Sequence, residues 1–445
     1  MAKRLFGTDG IRGIAGAAPL DAPTVTALGI ALAIDLKRQG LDAPVLVGMD
    51  TRESGPVIAA ELADGLKQQG LEVQFAGVVT TPGVAYLTRT GNFAAGVMIS
   101  ASHNPFEDNG IKVFARTGFK LPDAEEHEVE EEIFRVLPSV QVSARPEPLR
   151  ETYSVTRYLD FLLSTISTGL EGQRIVIDCG NGAASALAPD LFRKAGAHVT
   201  TICNEPNGRN INLNCGALHL ENVRKTVLAT GATAGVAFDG DADRALFVAA
   251  SGRIVDGDAI LLIAGRGLQQ DGHLPKNLIV STVMANLGLE KALDRLGISM
   301  IRTPVGDKYV LEEMLRQGAP LGGEQSGHII FREHASTGDG MLTALKIFEA
   351  CALQGATLDE LAADLKAFPQ VLVNVRVKER RPLEELPRVS AEIRACEAAL
   401  NGSGRVLVRF SGTEPLLRVM IEGPDQTHIE GLAERIAGVI RSEVG

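Results

Sequence analysis

GVAFDGDADR, residues 235–244, is a short apolar run that ends in a loop of alternating acidic and small residues. Apolar runs of similar length recur along the chain, separated by amphipathic stretches and punctuated by 48 glycines. Strands that alternate with helices form βαβ units, which assemble into parallel or mixed sheets covered by helices. The sequence therefore predicts an α/β fold, in which ligands bind where the strands end.

The predicted strands fall into three successive groups, which predict three related α/β domains with mixed sheets. The tail has another rhythm (strand, helix, two strands, helix), which predicts a smaller C-terminal α+β domain. The expected strands are 44–48, 71–75 and 94–100, then 174–178, 198–203, 235–239 and 245–248, and finally 278–283, 299–303 and 327–331. The expected domains are 1–150, 151–250, 251–368 and 369–445.

Composition and charge exclude several classes of protein. Of 445 residues, 45% are hydrophobic and 22% charged, which is typical of a globular chain and excludes disorder as the main state. No apolar stretch approaches the roughly 20 residues that span a bilayer, so we exclude a membrane protein. The formal net charge of −11 argues against a nucleic-acid partner but not against a small anionic substrate. No signal peptide is apparent and the five cysteines are scattered, so we expect a cytoplasmic protein with reduced thiols.

SASHNPFEDNGIK, residues 100–112, follows the third predicted strand. Pro105 and Gly110 predict a tight turn, and small neighbours leave Ser102 uncrowded. Successive side chains on a strand point to opposite faces, so His103 is poorly placed as a base for Ser102 unless the chain bends sharply. The G-x-S-x-G elbow is absent, which disfavours a Ser-His-Asp hydrolase. Ser102 is thus either a nucleophile or a serine that caps a turn.

Three aspartates, Asp239, Asp241 and Asp243, alternate along the loop of residues 239–244. In an extended loop they would project to one side, where two carboxylates ~4 Å apart repel by about 4 kcal/mol. A hard divalent cation such as Mg²⁺ relieves that repulsion. A calcium EF-hand is excluded, because Arg244 and Ala250 stand where it needs glycine and glutamate. The alternative is a set of solvated turn aspartates.

Two later loops carry groups that suit a sugar phosphate. GGEQSGH, residues 322–328, offers Glu324, Ser326 and His328 to sugar hydroxyls, although a plain polar turn would look the same.

The second of these loops lies in the tail. Arg409 and Arg418 flank the turn Ser411-Gly412-Thr413, whose hydroxyls and backbone N–H groups can cradle a phosphate. A surface hairpin turn is the alternative.

A competing signal is DCGNGAAS, residues 178–185, which imitates a dinucleotide-binding fingerprint after a strand. Its third glycine-or-alanine position holds Ser185, which weakens the case for a nicotinamide-dependent oxidoreductase. A non-enzymatic sugar-phosphate binder is a third class, and it would have no use for Ser102.

Taken together, the four loops resemble, in order and spacing, those of the phosphohexose mutase superfamily over essentially the whole chain. The resemblance implies domains around a central cleft, a phosphoryl group carried on Ser102, and Mg²⁺ bridging that phosphate to the three aspartates. It implies catalytic roles for Arg12, Lys112 and His103, with Arg244 adding positive charge. Either Lys112 or His103 would handle the hydroxyl proton. The loop at Glu324 would recognise the sugar, and that between Arg409 and Arg418 would clamp the phosphate.

Further motifs resemble the branch of bacterial enzymes that acts on glucosamine phosphates. They lie at residues 5–13, 109–112, 208–216 and 338–345. The resemblance implies interconversion of glucosamine 6-phosphate and glucosamine 1-phosphate through a sugar 1,6-bisphosphate, toward UDP-N-acetylglucosamine and the cell wall. Sugar phosphates would be the partners, and a homodimer is compatible. Mutases for mannose or glucose phosphates are the alternative. Lys308, where the superfamily usually has arginine, is a mild departure.

Overall fold

Four β-sheets organise the computed structural model, which describes residues 5–7, 9–379, 381–410 and 415–445. The first three sheets carry helices and the last is small and antiparallel. This arrangement confirms the predicted fold class. No helix in the described ranges combines the length and apolarity needed to cross a bilayer.

The first sheet contains six strands in the order β1-β2-β6-β5-β3-β4. Its strands are β1 (Phe6–Gly7), β2 (Gly10–Ile14), β3 (Val45–Met49), β4 (Val73–Val78), β5 (Ala95–Ile99) and β6 (Asp108–Ala115), and its helices are α1 (Ala22–Arg38), α2 (Gly55–Gln68), α3 (Thr81–Thr90) and α4 (Asp123–Val136). β3 runs parallel to β4 and β5, whereas β6 pairs antiparallel with β5 and β2. Gly110 therefore lies within a strand, and the predicted turn at that residue is wrong, because the chain reverses earlier, between Ile99 and Asp108.

The second sheet has the order β11-β10-β9-β7-β8. Its strands are β7 (Arg174–Asp178), β8 (His198–Ile202), β9 (Ala234–Phe238), β10 (Ala245–Ala249) and β11 (Ile254–Val255), with helices α5 (Thr156–Ser164), α6 (Ala188–Lys194) and α7 (Glu221–Thr230). β7 is parallel to β8 and β9, and β9 pairs antiparallel with β10. The β9–β10 hairpin carries the acidic loop at its tip.

The third sheet has the order β13-β12-β14-β15. Its strands are β12 (Leu278–Thr282), β13 (Ser299–Thr303), β14 (Leu321–Gly323) and β15 (Ile329–Phe331), and the helices along this part of the chain are α8 (Gly257–Gln270), α9 (Leu287–Arg295), α10 (Asp307–Gln317), α11 (Gly340–Gln354) and α12 (Leu358–Leu361). β14 and β15 form a hairpin whose connection is the predicted sugar loop.

The fourth sheet is antiparallel, with β18 in the centre. Its strands are β16 (Gln370–Arg376), β17 (Arg405–Phe410) and β18 (Leu416–Glu422), with helices α13 (Pro387–Leu400) and α14 (Gln426–Val444).

The chain divides into two units. The first takes the residues up to Met284 and Ile298–Ala363, and the second takes Ala285–Gly297 and Asp364–Gly445. The second unit therefore recruits α9 from the middle of the chain. The four-domain boundaries expected from the sequence stay a prediction.

Candidate active site

Ser102 lies in the loop that follows β5, at a sharp bend of the backbone. Its φ is 53°, a left-handed conformation that is uncommon outside glycine and concentrated at functional sites. The bend brings Oγ to 2.7 Å from Asp239 Oδ2, to which it donates, and to 3.2 Å from Nδ1 of His103. The chain therefore bends sharply here, and this bend is what His103 needs in order to reach Ser102.

A hydrogen-bond network that was not predicted from the sequence supports the backbone of this loop. Arg52 is 1% exposed, and its guanidinium donates to the carbonyls of Ser102 and Asn104 at 2.9 and 3.0 Å and to that of Asp108 at 2.9 Å. Its Nε donates to Asp50, which also accepts the hydroxyl of Ser100 at 2.6 Å. Arg52 thus fixes the bend with several donors in one plane.

Asn212, also missed, supports the same loop from the second sheet. Its amide donates to the Ser102 carbonyl at 2.9 Å and to that of Asn104 at 3.2 Å. Arg52 stands in none of the motifs found in the sequence, and the motif at 208–216 gave no role to Asn212, because each residue acts on backbone carbonyls brought near only by folding.

The three aspartates converge, but their loop is not extended as predicted. Ala242 is left-handed, with φ 54°, and one carboxylate oxygen of each aspartate lies within 4.8 Å of the other two. Burial, and then the charges of Asp243 and Asp241, raise the pKa of Asp239 well above its usual value. Oδ1 of Asp241 and Oδ1 of Asp243 are buried and accept no hydrogen bond from the described residues. Converging, unsatisfied carboxylate oxygens are ligands that fit a hard divalent cation.

Lys112 lies beside the aspartates on β6. Its Nζ is 2.9 Å from Asp241, 3.2 Å from Asp243 and 3.1 Å from Asp9. Burial alone would lower the pKa of Lys112, but these carboxylates outweigh it and the pKa is raised. Lys112 therefore stays charged and offers protons without accepting one.

Asp9, which the sequence analysis passed over, extends this charge network. It accepts from Arg12 and Lys120, and Lys120 also donates to Asp307, the first residue of α10, at 2.6 Å. Oppositely charged neighbours offset the cost of burying these groups.

Arg12 and Arg244 carry donors that remain available. Nε of each is buried and makes no hydrogen bond to a described residue. The backbone N–H of Arg244 donates to Asp239 Oδ1 at 3.1 Å, and its guanidinium lies beside the acidic cluster, with Nε 3.8 Å from Asp243 Oδ1. His103 is neutral there, because burial, Arg244 and Arg12 lower its pKa to about 4.

Some side chains of the predicted sugar loop are available to a ligand, whereas others already contact neighbouring residues. Oγ of Ser326 has no partner among the described residues, and the carboxylate of Glu324 accepts the N–H of Gly306 at 3.1 Å. His328 is 3% exposed, accepts the N–H of Gly338 on Nε2 at 2.9 Å, and places Nδ1 3.7 Å from Asp243. In the structure His328 thus supports the acidic loop, and its contact with a sugar stays a prediction.

The predicted phosphate clamp lies in the second unit. Arg409 on β17 and Arg418 on β18 are directly paired across the strands. Burial, and then Arg418, lower the pKa of Arg409. Ser411, Gly412 and Thr413 lie outside the described residues. Two neighbouring guanidinium groups favour an anion.

The glycines of the fingerprint-like stretch have a packing reason. A Cβ on Gly182 would lie 2.4 Å from the carbonyl oxygen of Gly240, so a side chain there would push the acidic loop away. Close backbone approach explains this glycine without a dinucleotide.

Comparisons with known proteins agree with this geometry. The four parts of the phosphoglucomutase/phosphomannomutase family, alpha/beta/alpha domains I, II and III and the C-terminal domain, match residues 3–138, 156–252, 256–368 and 372–439. A phosphoglucosamine mutase of Solibacter usitatus (strain Ellin6076) is 61% identical over 448 residues and 100% of both chains. One of Koribacter versatilis (strain Ellin345) is 50% identical, over 100% of this chain and 98% of the relative. The chain belongs to the phosphoglucosamine mutase family.

Phosphoglucosamine mutases are phosphohexose mutases, so the chain is an isomerase of the intramolecular phosphotransferase type, and the resemblance seen in the sequence is confirmed. Solved structures share the fold. A phosphoglucomutase/phosphomannomutase family protein from Burkholderia thailandensis matches with a TM-score of 0.81, 24% identity, and coverage of 98% of this chain and 97% of that one. An N-acetylphosphoglucosamine mutase from Aspergillus fumigatus, in complex with GlcNAc-6P and magnesium, matches with a TM-score of 0.68, 18% identity, and coverage of 99% and 96%.

Proposed function

We propose that the chain interconverts glucosamine 6-phosphate and glucosamine 1-phosphate through a phosphorylated Ser102 and glucosamine 1,6-bisphosphate. One observation carries the mechanism: the Ser102 hydroxyl lies 2.7 Å from the carboxylate of Asp239, at the edge of a buried aspartate cluster. The substrate rests on relatives 44–61% identical that are named phosphoglucosamine mutases.

The reaction has two halves. In the first, the free hydroxyl of the sugar phosphate attacks the phosphorus on Ser102, the bond between phosphorus and Oγ breaks, and the hydroxyl proton passes to a base. In the second, after the bisphosphate reorients, Oγ attacks the other phosphorus, the bond between that phosphorus and the sugar oxygen breaks, and the base returns the proton to the sugar oxygen, which restores the phosphoserine. Phosphoryl transfer depends on positioning and charge neutralisation, which Arg12, Lys112 and Arg244 supply.

Asp239, Asp241 and Asp243 would hold Mg²⁺ together with an oxygen of the Ser102 phosphate. When bound, the ion neutralises charge that develops on the transferring group. The two unsatisfied carboxylate oxygens support this assignment.

His103 is the better candidate for the base. Its Nδ1 is 3.2 Å from the serine oxygen and its imidazole is neutral, whereas three carboxylates hold Lys112 protonated. General bases act within such hydrogen-bond reach.

The remaining assignments follow from the shape of the substrate. Glu324 and Ser326 offer an acceptor and a free hydroxyl to the sugar. The non-reacting phosphate is a hexose away from Ser102, so we assign it to Arg409 and Arg418. Sugar phosphates are thus the partners, the five free thiols fit the reducing cytoplasm, and a homodimer is compatible.

The phosphoserine is tested by priming the enzyme with glucosamine 1,6-bisphosphate and measuring its intact mass. We expect one phosphoryl group on the wild type and none on Ser102→Ala, with activity lost by at least a factor of about 10³. Ser100→Ala is the matched control: it weakens support of the loop but keeps the nucleophile, so phosphorylation persists. A phosphorylated and active Ser102→Ala enzyme would refute the mechanism.

The substrate is tested by supplying glucosamine, glucose and mannose 6-phosphates separately, with Mg²⁺ and a trace of bisphosphate. We expect the highest kcat/KM with glucosamine 6-phosphate. Faster turnover of a glucose or mannose phosphate would overturn the substrate and leave the role of Ser102 standing.

A further inference from the structure

A second ligand cluster, made of Asp178, Cys203 and Cys215, lies in the second sheet and has no part in the proposed reaction. Asp178 ends β7 and Cys203 directly follows β8, the parallel neighbour of β7, so both lie at the carboxyl edge of the sheet. The loop from 203 to 215 brings Cys215 back to the same edge. One carboxylate oxygen and the two sulfur atoms lie within 4.8 Å of one another.

The carboxylate of Asp178 is only half satisfied. Its side chain is fully buried, and Oδ1 accepts the N–H of Gly180 at 2.9 Å. Oδ2 is buried and accepts no hydrogen bond of ordinary geometry from the described residues, although the N–H of Gly216 and the thiol of Cys203 lie near this carboxylate. A buried carboxylate oxygen without a partner is costly unless a proton or a cation satisfies it.

The two cysteines differ in access. Cys215 is 1% exposed, and its Sγ accepts the amide N–H of Asn181 at 3.7 Å, a contact that orients the sulfur. Cys203 is half-buried and left-handed, with φ 50°, so the backbone is strained where this thiol joins the cluster. The half-buried sulfur leaves a way in for an ion and room for a water ligand.

We propose that Asp178, Cys203 and Cys215 bind a soft divalent cation, Zn²⁺, with water as the fourth ligand. Thiolates select zinc over magnesium, whereas the all-oxygen aspartate cluster selects the hard ion. Tetrahedral zinc holds sulfur at about 2.3 Å, which puts two sulfur ligands about 3.8 Å apart, and the two sulfur atoms here lie within 4.8 Å of each other. Binding displaces the thiol protons to solvent.

Hydrogen bonds also connect this cluster to the loop of Ser102. The backbone N–H of Asn181 donates to the carbonyl of Cys203 at 2.7 Å, and that of Asn212 donates to the carbonyl of Gly180 at 2.8 Å. The Asn212 amide holds the Ser102 carbonyl. Zinc binding therefore stiffens the segments that position the nucleophile.

The test uses Co²⁺ as a spectroscopic substitute for Zn²⁺, added to the reduced, chelator-treated full chain in excess Mg²⁺. We expect a thiolate-to-cobalt charge-transfer band in the near ultraviolet that saturates at one Co²⁺ per chain and disappears when Zn²⁺ is added. Oxygen ligands give no such band, so the aspartate cluster does not contribute to it.

The variants Cys203→Ser and Cys215→Ser should lose the band, and Asp178→Asn should weaken binding by about tenfold or more. Cys351→Ser and Cys396→Ser are matched controls that keep it. If Cys215→Ser fails to fold, the test rests on two other variants. These are Cys203→Ser, at the partly exposed cysteine, and the isosteric Asp178→Asn. A wild type without the band, or a band that survives in Cys203→Ser, overturns the proposal. So does a Cys203–Cys215 disulfide that forms in air while the reduced chain binds no Co²⁺.

Discussion

At the scale of single residues, the site depends on charges that are buried in mutual contact. Asp241 is the residue where this is most direct, since Lys112 and Thr81 both donate to its Oδ2, at 2.9 and 2.5 Å, while its Oδ1 accepts nothing from the described chain. Lys112 and Arg244 thus offset only part of the charge of the three buried carboxylates. A cation that completes the balance must also stabilise the fold.

Magnesium should therefore raise the melting temperature of the wild type. A ligand at 100 times its Kd that binds only the folded state adds about 2.7 kcal/mol to the free energy of unfolding. We expect Asp241→Asn to lose most of the increase, because one cation ligand is gone. Calorimetry with Mg²⁺ and with EDTA measures it, and Asp359→Asn, at a half-buried residue paired with Ser251, is the control. An equal increase in Asp241→Asn would contradict the assignment.

Arg52 is a positioning residue. Lysine keeps its charge but cannot reach several carbonyls at once with one ammonium group. We expect Arg52→Lys to lower kcat by about 10- to 100-fold, with a smaller change in KM, because the loop of Ser102 shifts relative to the substrate. Steady-state kinetics measure this. Arg209→Lys, at an exposed ion pair with Glu53, should leave both constants unchanged, and a normal kcat in Arg52→Lys would refute the role.

At the scale of elements, most strands and helices can be predicted from the sequence. The strands that cannot be predicted share one physical cause. The first, second, sixth and eleventh strands and the short strand at Leu321–Gly323 were not predicted. They are short or rich in glycine and polar residues, so their strand character comes from neighbours that pair with their backbones. Gly110 looked like a turn residue for this reason, although it pairs with Arg12 inside the sheet.

The start of α11 provides a pH test. Asp339 caps this helix by accepting the N–H of Leu342 at 3.0 Å, and it accepts the Tyr158 hydroxyl at 2.8 Å. Burial raises the pKa of Asp339 to about 6, so the folded chain holds this proton more tightly than the unfolded chain. The free energy of unfolding should therefore fall by about 3 kcal/mol between about pH 4 and pH 6 and stay low above that.

Asp339→Asn keeps the cap, and its amide can donate to the tyrosine oxygen, so it should remove this pH dependence. At pH 7 we expect the variant to be at least as stable as the wild type. Denaturant unfolding of both proteins across the range measures the difference. A difference that does not change between pH 4 and pH 6 would show that Asp339 does not titrate there.

At the scale of the whole molecule, the two units cut across chain order. α9 lies between two strands of the third sheet, yet it belongs to the second unit, where the side chain of Asn286 exchanges hydrogen bonds with the backbone of Phe368 at 2.8 and 3.1 Å. Arg405 donates to the carbonyl of Ala285 at 3.1 Å. This exchange ties a segment from the middle of the chain to the C-terminal part within the second unit.

Truncation after Ala363 should therefore leave α9 without its partners. Leu289 and Leu293 are fully buried in the full chain, and we expect the truncated chain to bind a hydrophobic dye and to melt at a lower temperature. A second truncated chain, with residues 285–297 replaced by a glycine-serine linker, should bind less dye. Equal dye binding by the two would show that α9 does not need the second unit.

The sequence by itself determined the fold class and picked out Ser102, the proposed nucleophile, and the three aspartates, because each strand and the loop after it are continuous in the chain. Only the tertiary structure decided what surrounds them. Asn212 meets Ser102 across 110 residues, Lys112 meets Asp241 across 129, and Lys120 meets Asp307 across 187. The same holds for the thiol cluster beside Asp178. Local pattern cannot report such pairs, since what joins them is the packing of separate sheets and loops.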